Sequence, residues 1–223
     1  MELHKINSIP LSFHEGSILS RMGGKKMIKV SQRIKKLMRK AENDIKRDAE
    51  PKALFRISWV ERKNGSLLVS NQTLKSRKLV KLFSSCDRAA VFLLTLGKNV
   101  DRLIQKTMKK RSCYGYVLDA AASVAAESMA SYLQKYVERR LDEEESLTLR
   151  YSPGYCDWPL REQSKIFKIL PNEQIGVSMS ESYLMTPRKS ISGIIGICPS
   201  DSLMDGGNVC LGCKNTNCVF RRN

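Results

Sequence analysis

The sequence predicts an α+β fold with a largely antiparallel sheet. Three observations carry that expectation. Asn64-Gly65 sits between two strand-like runs, ALFRISWV at 53–60 and SLLVSN at 66–71, and Asn-Gly is the strongest short-range hairpin signal. The continuous apolar run AAVFLLTLG at 89–97 reads as a central strand buried on both faces. Helical segments are interspersed among these strands, and the sequence contains no internal repeat.

The elements follow in order. Residues 1–24 read as irregular, with Pro10 and Gly23-Gly24. Residues 28–49 predict an amphipathic helix. Val30, Ile34, Leu37, Met38 and Ala41 fall on one stripe opposite the Lys and Arg residues, and Pro51 ends it. After the hairpin comes a short helix around 75–84, then the central strand, then a basic helix over 98–109. Residues 114–141 predict the longest helix. Its main apolar stripe is Leu118, Ala122, Ala125, Met129, Leu133 and Tyr136. A second, small-residue face carries Ala120, Val124, Glu127 and Ser131, with Glu127 its one charge. Small residues let a backbone or a ligand approach closely. LTLRYS at 147–152 predicts a strand, 162–170 a short helix ending at Pro171, and IGVSM (175–179) and ISGIIGI (191–197) two more strands. The remainder, 198–223, reads as an irregular, Cys-rich tail.

Composition bounds the function. The 223 residues carry 39 Lys and Arg against 22 Asp and Glu, a net charge of +17. Residues 20–47 hold eleven of the bases, and 98–111 six more. Such a field favours an acidic partner, whether nucleic acid, an acidic protein face or a phosphorylated ligand. The plainer reading is a solvated basic surface. No run approaches 18 apolar residues, so no membrane span is expected. The N-terminus lacks the layout of a secretory signal, and the expected location is the cytoplasm.

RYSPGYCDWPL at 150–160 is the most unusual stretch. Pro153 and Pro159 fix their own φ and push Ser152 and Trp158 toward extended conformations. Gly154 permits a turn other residues resist. Such a turn can aim backbone groups outward to read the edge of a planar base. Arg150 supplies a forked donor suited to a carboxylate or phosphate, and Tyr155 a flat face for stacking. Glu127 can balance a positive charge. Together these suit a zwitterionic ligand bearing an aromatic base and an extra cation. Each has a structural alternative. Arg150 can pair with the acids at 142–145, Pro-Gly can be a plain turn, Glu127 can be solvated, and Tyr155 can be core or rim.

R-x-S-P-G-Y at 150–155 followed by Pro159, TLG at 95–97, DAAASVAAESMASYL at 119–133 and SESYLMTPRKSISG at 180–193 keep one order. In this, residues 50–197 resemble the activation domain of cobalamin-dependent methionine synthase. The resemblance implies a curved, largely antiparallel sheet with flanking helices. It implies a module that binds S-adenosylmethionine and supports reductive methylation of cobalamin held by another domain. Arg150 would hold the ligand carboxylate, and the backbone of Ser152, Gly154 and Tyr155 would contact the adenosyl moiety. Glu127 would lie near the methionine amino group, with Glu181 and Ser182 in a loop beside the site. The chain departs from the family pattern in three ways. It has no corrinoid-binding D-x-H-x-x-G, since its His residues are His4 and His14. It has no separate substrate-binding or catalytic modules. Ile194, Gly196 and the Cys-bearing tail stand where the family has an aromatic pair. The expectation is a stand-alone reactivation module serving a corrinoid methyltransferase, such as the methionine synthase core, in trans. A reductase, flavodoxin or ferredoxin would supply electrons. No residue is assigned as catalytic, because methyl transfer from a sulfonium to cobalt needs orientation rather than a general acid or base.

The tail reads as metal-binding. Cys198, Cys210, Cys213 and Cys218 give C-x11-C-x2-C-x4-C. Clustered thiols in a cytosolic chain favour a [4Fe–4S] cluster, with zinc as the alternative and reduced thiols as the plain one. Cys156 is a substitute for Cys198 as fourth ligand. The expected organisation is a basic N-terminal segment (1–50), an S-adenosylmethionine-binding core (51–197) and the tail (198–223). Two rival functions stand beside the first. One is a non-enzymatic iron–sulfur or zinc protein that docks a corrinoid protein. The other is a nucleic-acid binder, disfavoured because its basic helices lack interleaved aromatics.

Overall fold

The computed structural model describes residues 2–23 and 30–202. A strand β1 (Leu3–Ile6) and a helix α1 (Glu15–Arg21) open the chain, followed by α2 (Gln32–Asp48). Then come β2 (Lys52–Lys63), β3 (Ser66–Val69), β4 (Gln72–Leu74), α3 (Arg77–Leu82) and β5 (Arg88–Thr95). The helices α4 (Lys98–Lys110) and α5 (Ser112–Glu138) lead to β6 (Glu145–Leu147). The chain continues through α6 (Gln163–Ile169), the ribbon β7 (Ser178–Met179) and β8 (Met185–Thr186), and β9 (Ser190–Pro199).

The main sheet has seven strands in the order β4-β3-β2-β5-β9-β6, with β1 also paired to β2. Every pairing in it is antiparallel. Asn64 and Gly65 make the β2–β3 turn with φ of 50° and 71°, the left-handed pair that such a turn needs. β5 lies between β2 and β9. Ala90, Phe92 and Leu94 face one layer, and Ala89, Val91 and Leu93 the other. A strand buried on both faces loses its alternation, which is why it reads as a continuous apolar run.

One layer is built on α5. Ala120, Ala121, Ala122, Ala125, Ala126 and Ala130 are all buried, and Ile18 of α1, Met38, Ala41 and Ile45 of α2, and Val100 and Ile104 of α4 join the same core. Ala-rich surfaces let helices and sheet approach closely, so the longest helix sits in the middle of its layer. The opposite layer holds Leu79 of α3, Ile166 and Ile169 of α6, and Trp158 against Leu54, Val91 and Leu93. Among the described residues no helix is long and apolar enough to cross a membrane.

Four expectations change. Residues 1–24, read as irregular, include β1 and α1. Ile9 and Ile18 lie in the same core as Phe55 and Phe92, so no packing break marks the boundary drawn at residue 50. The strand expected over 147–152 stops at Leu147, because a bulge interrupts it. That expected over 175–179 shrinks to Ser178–Met179, since a 3₁₀ turn at Asn172–Ile175 ends on Gly176 in the left-handed region. Finally, Cys198 is part of β9, is buried, and forms a disulfide with Cys86, 112 residues away. A disulfide sulfur is not a thiolate, so in this state Cys198 is not the fourth metal ligand. Cys210, Cys213 and Cys218 lie outside the described residues. Among the described residues no group of three or more His, Cys, Asp or Glu is placed to hold a metal.

Candidate functional site

Arg150 owes its direction to the bulge. Thr148 N–H donates to the Gly196 carbonyl at 3.0 Å, and Gly196 N–H donates to Thr148 Oγ1 at 2.8 Å. Three residues later, Tyr151 exchanges both backbone hydrogen bonds with Ile194. The chain thus advances three residues against two on β9. The extra residue keeps Thr148 and Tyr151 on the α3/α6 side and sends Arg150 to α5. Gly193 makes room for this crossing. A Cβ there would stand 2.8 Å from both Phe92 Cζ and the Tyr151 carbonyl oxygen.

On α5 the accessible stripe is polar. Asp119, Ser123 and Glu127 follow at intervals of four residues, with Ser131 and Gln134 beyond. This corrects the face expected from sequence: Ala120 and Val124 are buried, and the stripe carries two carboxylates. Arg150 Nη1 donates to Gln134 Oε1 at 2.8 Å, and its Nη2 lies 3.7 Å from Glu127 Oε2. Its side chain is 11% exposed, while that of Glu127 is 39% exposed. The other Glu127 oxygen lies 3.7 Å from Arg21 Nη2 of α1. Two turns back, Lys189 Nζ donates to Ser123 Oγ and meets Asp119 Oδ1, both at 2.8 Å. Among the acids at 142–145, Glu145 pairs with Arg88.

The turn after Arg150 is held from behind. Trp158 is fully buried and stacks on Tyr151, with ring centroids 5.6 Å apart. Gly154, at φ +93°, donates its N–H to the Trp158 carbonyl at 2.8 Å. Tyr155 N–H donates to Ser152, and Trp158 N–H to Tyr155. The backbone groups expected to point outward are therefore partly used inside the turn; the Ser152 N–H and Gly154 carbonyl stand outside these bonds. The Asp157 carboxylate ties the turn to α3, accepting from Ser76 Oγ at 2.7 Å and from Lys78 N–H at 3.2 Å. Burial alone would raise its pKa, but those donors, the Arg77 N–H and the Tyr151 hydroxyl together hold it below the usual carboxylate range. Tyr151 moves up, through its own burial and the neighbouring Cys156 and Asp157. So anchored, the turn presents Tyr155 at 43% exposure.

A second loop is packed on α6. Ser180 N–H donates to Leu184 O, and Tyr183 N–H to Ser180 O. Gln163 of α6 bridges this loop to β9, donating to the Tyr183 carbonyl at 2.7 Å and accepting from Ser192 Oγ at 3.0 Å. Glu181 and Ser182 are exposed at the loop tip. Among the described non-glycine residues with positive φ, Asn64, Ser70 and Asn71 make the turns around β3. The other two are Cys156 (φ 50°) and Tyr183 (φ 63°), one in each of these loops. Such conformations cost about 1–3 kcal/mol and cluster at ligand clamps and active sites.

The structure thus brings Glu127 and Arg150 together, with Ser152, Gly154 and Tyr155 on the turn that follows. Glu181 and Ser182 lie on a separate loop, the one held by Gln163. Sequence reasoning missed Arg21, Gln134, Lys189 and Gln163. Gln134 was findable, since it lies seven residues beyond Glu127 and therefore on the same helix face; the others depend on tertiary packing. A groove of about 270 Å³ lined by Glu2, His4, Ile57, Ser58, Trp59 and Arg88 shares no residue with this site.

Three comparisons bear on this arrangement. The family model described as the activation domain of vitamin B12 dependent methionine synthase matches residues 79–204, more than half of the chain. Among solved structures, the crystal structure of the MetH reactivation domain bound to AdoHcy aligns with a TM-score of 0.67 at 16% identity. The alignment covers 90% of this chain and 79% of that one. No curated protein matches.

Proposed function

Because this chain belongs to the family of vitamin B12 dependent methionine synthase activation domains, we propose that the polar face of α5 beside Arg150 binds S-adenosylmethionine and presents the methyl group to a corrinoid held outside these residues. The observation that carries this reading is the Arg150–Glu127 pair on one accessible face. A guanidinium and a carboxylate side by side match the carboxylate and ammonium of an amino-acid ligand. Arg150 takes the carboxylate and Glu127 the ammonium. The Ser152 N–H and Gly154 carbonyl face the adenine edge, and the Tyr155 ring its flat side. Glu181 and Ser182 form the rim. The solved relative's bound AdoHcy, the demethylated form of the same ligand, supports this choice.

When bound, the ligand supplies an electrophilic methyl group on sulfur, and a reduced corrinoid is its acceptor. The chain's own part is orientation. Arg150 is nearly buried and braced by Gln134, so it holds one end of the ligand in a fixed direction. The turn, anchored through Asp157 and Trp158, holds the other end. Catalysis of this kind comes from alignment of the reacting atoms, and no proton has to move. Supply of electrons by a reductase, flavodoxin or ferredoxin and service to a methionine synthase core in trans belong to this proposal. A metal in the tail is a separate one. Cys210, Cys213 and Cys218 would provide three thiolates, with exposed Cys156 as the described candidate for a fourth. Metal analysis of the purified protein tests it, and the absence of both zinc and iron would end it.

Calorimetric titration tests the ligand site. Wild-type protein binds S-adenosylmethionine. Arg150→Ala loses about ten- to a hundred-fold in affinity, the value of charge-assisted hydrogen bonds, and Glu127→Gln about ten-fold. Equal affinities in wild type and Arg150→Ala would refute the assignment.

A further inference from the structure

We propose that Arg21 selects the charge of the ligand: by sharing Glu127 with Arg150, it favours the neutral demethylated product over the sulfonium-bearing donor. The inference rests on the S-adenosylmethionine reading of the α5 face and adds a residue outside the 79–204 segment matched by the family.

Arg21 is placed by packing. Its helix, α1, buries Ile18 in the core around α5, and the preceding segment donates Ser12 N–H to Ser128 Oγ of α5 at 3.1 Å. These contacts bring the Arg21 guanidinium to 3.7 Å from Glu127 Oε1, while Arg150 stands 3.7 Å from Oε2. One carboxylate therefore serves two guanidinium groups. The next charges along the stripe, Lys189 and Asp119, neutralise one another at 2.8 Å.

A ligand bound here must bring its ammonium to Glu127 in competition with Arg21. Donor and product both carry that ammonium and a carboxylate. Only the donor carries a second cation, the sulfonium, three carbon atoms from the ammonium-bearing end of the amino-acid chain. With Arg21 present, that cation meets a carboxylate already shared by two positive groups. Once the methyl has left, the sulfur is a neutral thioether and this repulsion disappears. Arg21 thus weakens binding of the donor relative to the product. It acts on the ligand through Glu127 and is a positioning residue.

The test is calorimetric titration of S-adenosylmethionine and S-adenosylhomocysteine into full-length wild type, Arg21→Gln and Arg21→Lys at low ionic strength. Arg21→Gln should raise affinity for the sulfonium ligand about three-fold more than for the thioether ligand, the size of a part-exposed ion pair. Arg21→Lys should keep the wild-type ratio, and added salt should shrink the difference. The ratio is taken within each variant, so a general loss of stability cancels from it. An unchanged ratio in Arg21→Gln, or a ratio in Arg21→Lys that matches Arg21→Gln, overturns the proposal. If wild type binds both ligands and the ratio does not move, only the role of Arg21 falls. If wild type binds neither, the reading of the α5 face falls with it.

Discussion

Single atoms decide where Arg150 points. The Thr148 hydroxyl replaces a backbone carbonyl as acceptor for Gly196 N–H, and the chain slips by one residue against β9. Gly193 is the complementary requirement, because its missing side chain leaves space for Tyr151 and Phe92. Gly193→Ala places a methyl group at 2.8 Å from rigid neighbours on both sides. We expect a loss of about 1–3 kcal/mol in stability from overpacking, read from the midpoint of urea unfolding. A weaker S-adenosylmethionine affinity should accompany it, because Tyr151 and the adjoining Arg150 shift. An alanine variant with unaltered midpoint and affinity would mean that this crossing is not tight. None of this is visible in the string LTLRYS, where strand propensity is satisfied and the extra residue leaves no compositional mark.

At the scale of elements, α6 is tied to the β4–α3 connection through one carboxylate. Glu162 is 6% exposed and accepts from Lys75 N–H at 2.9 Å and from Lys165 Nζ at 2.7 Å. Burial raises its pKa, but Lys165 and the Lys75 N–H outweigh burial, and the folded-state value lies below the ordinary 4.5. A carboxylate with a depressed pKa stabilises the fold above its unfolded pKa. That contribution fades as the pH falls below about 4.5 through the lower folded value. Wild type should therefore lose stability in this window more steeply than Glu162→Gln. Parallel acid limbs in thermal melts of the two would contradict the ion pair's role. The elements themselves were largely legible. The Asn64-Gly65 hairpin, the doubly buried β5, the basic α4 and the long α5 all follow from local periodicity and turn chemistry. β1 and α1 were not. LHKI is too short to declare a period, and the seven residues of α1 gain their stability from packing Ile18 on α5 rather than from their own propensity. The same limit hid Arg21 and Lys189 from the site, whereas Arg150, Glu127 and the Pro-Gly turn stood in recognisable motifs.

Over the whole molecule, the Cys86–Cys198 bond joins the start of β5 to the end of β9 across 112 residues of chain. In the chain-entropy account, a closure of that length is worth about 4–5 kcal/mol against the unfolded state. Dithiothreitol should lower the melting temperature of wild type and leave that of a Cys86→Ala/Cys198→Ala variant unmoved; equal responses would mean that the bond is not formed in solution. This cross-link lies at one end of β9. The other end, Ser190–Gly193, runs beside the loop held by Gln163, so a single strand connects the bonded end of the sheet with the candidate site. The proposed activity requires that site to receive one particular ligand in one direction. The most direct measurement is a crystal structure of the protein soaked with S-adenosylmethionine. Density should run from a carboxylate on Arg150, past an ammonium on Glu127, to an adenine beside Tyr155 and Gly154. No ligand density on this face at saturating ligand, or density with the adenine at Arg150, would contradict it.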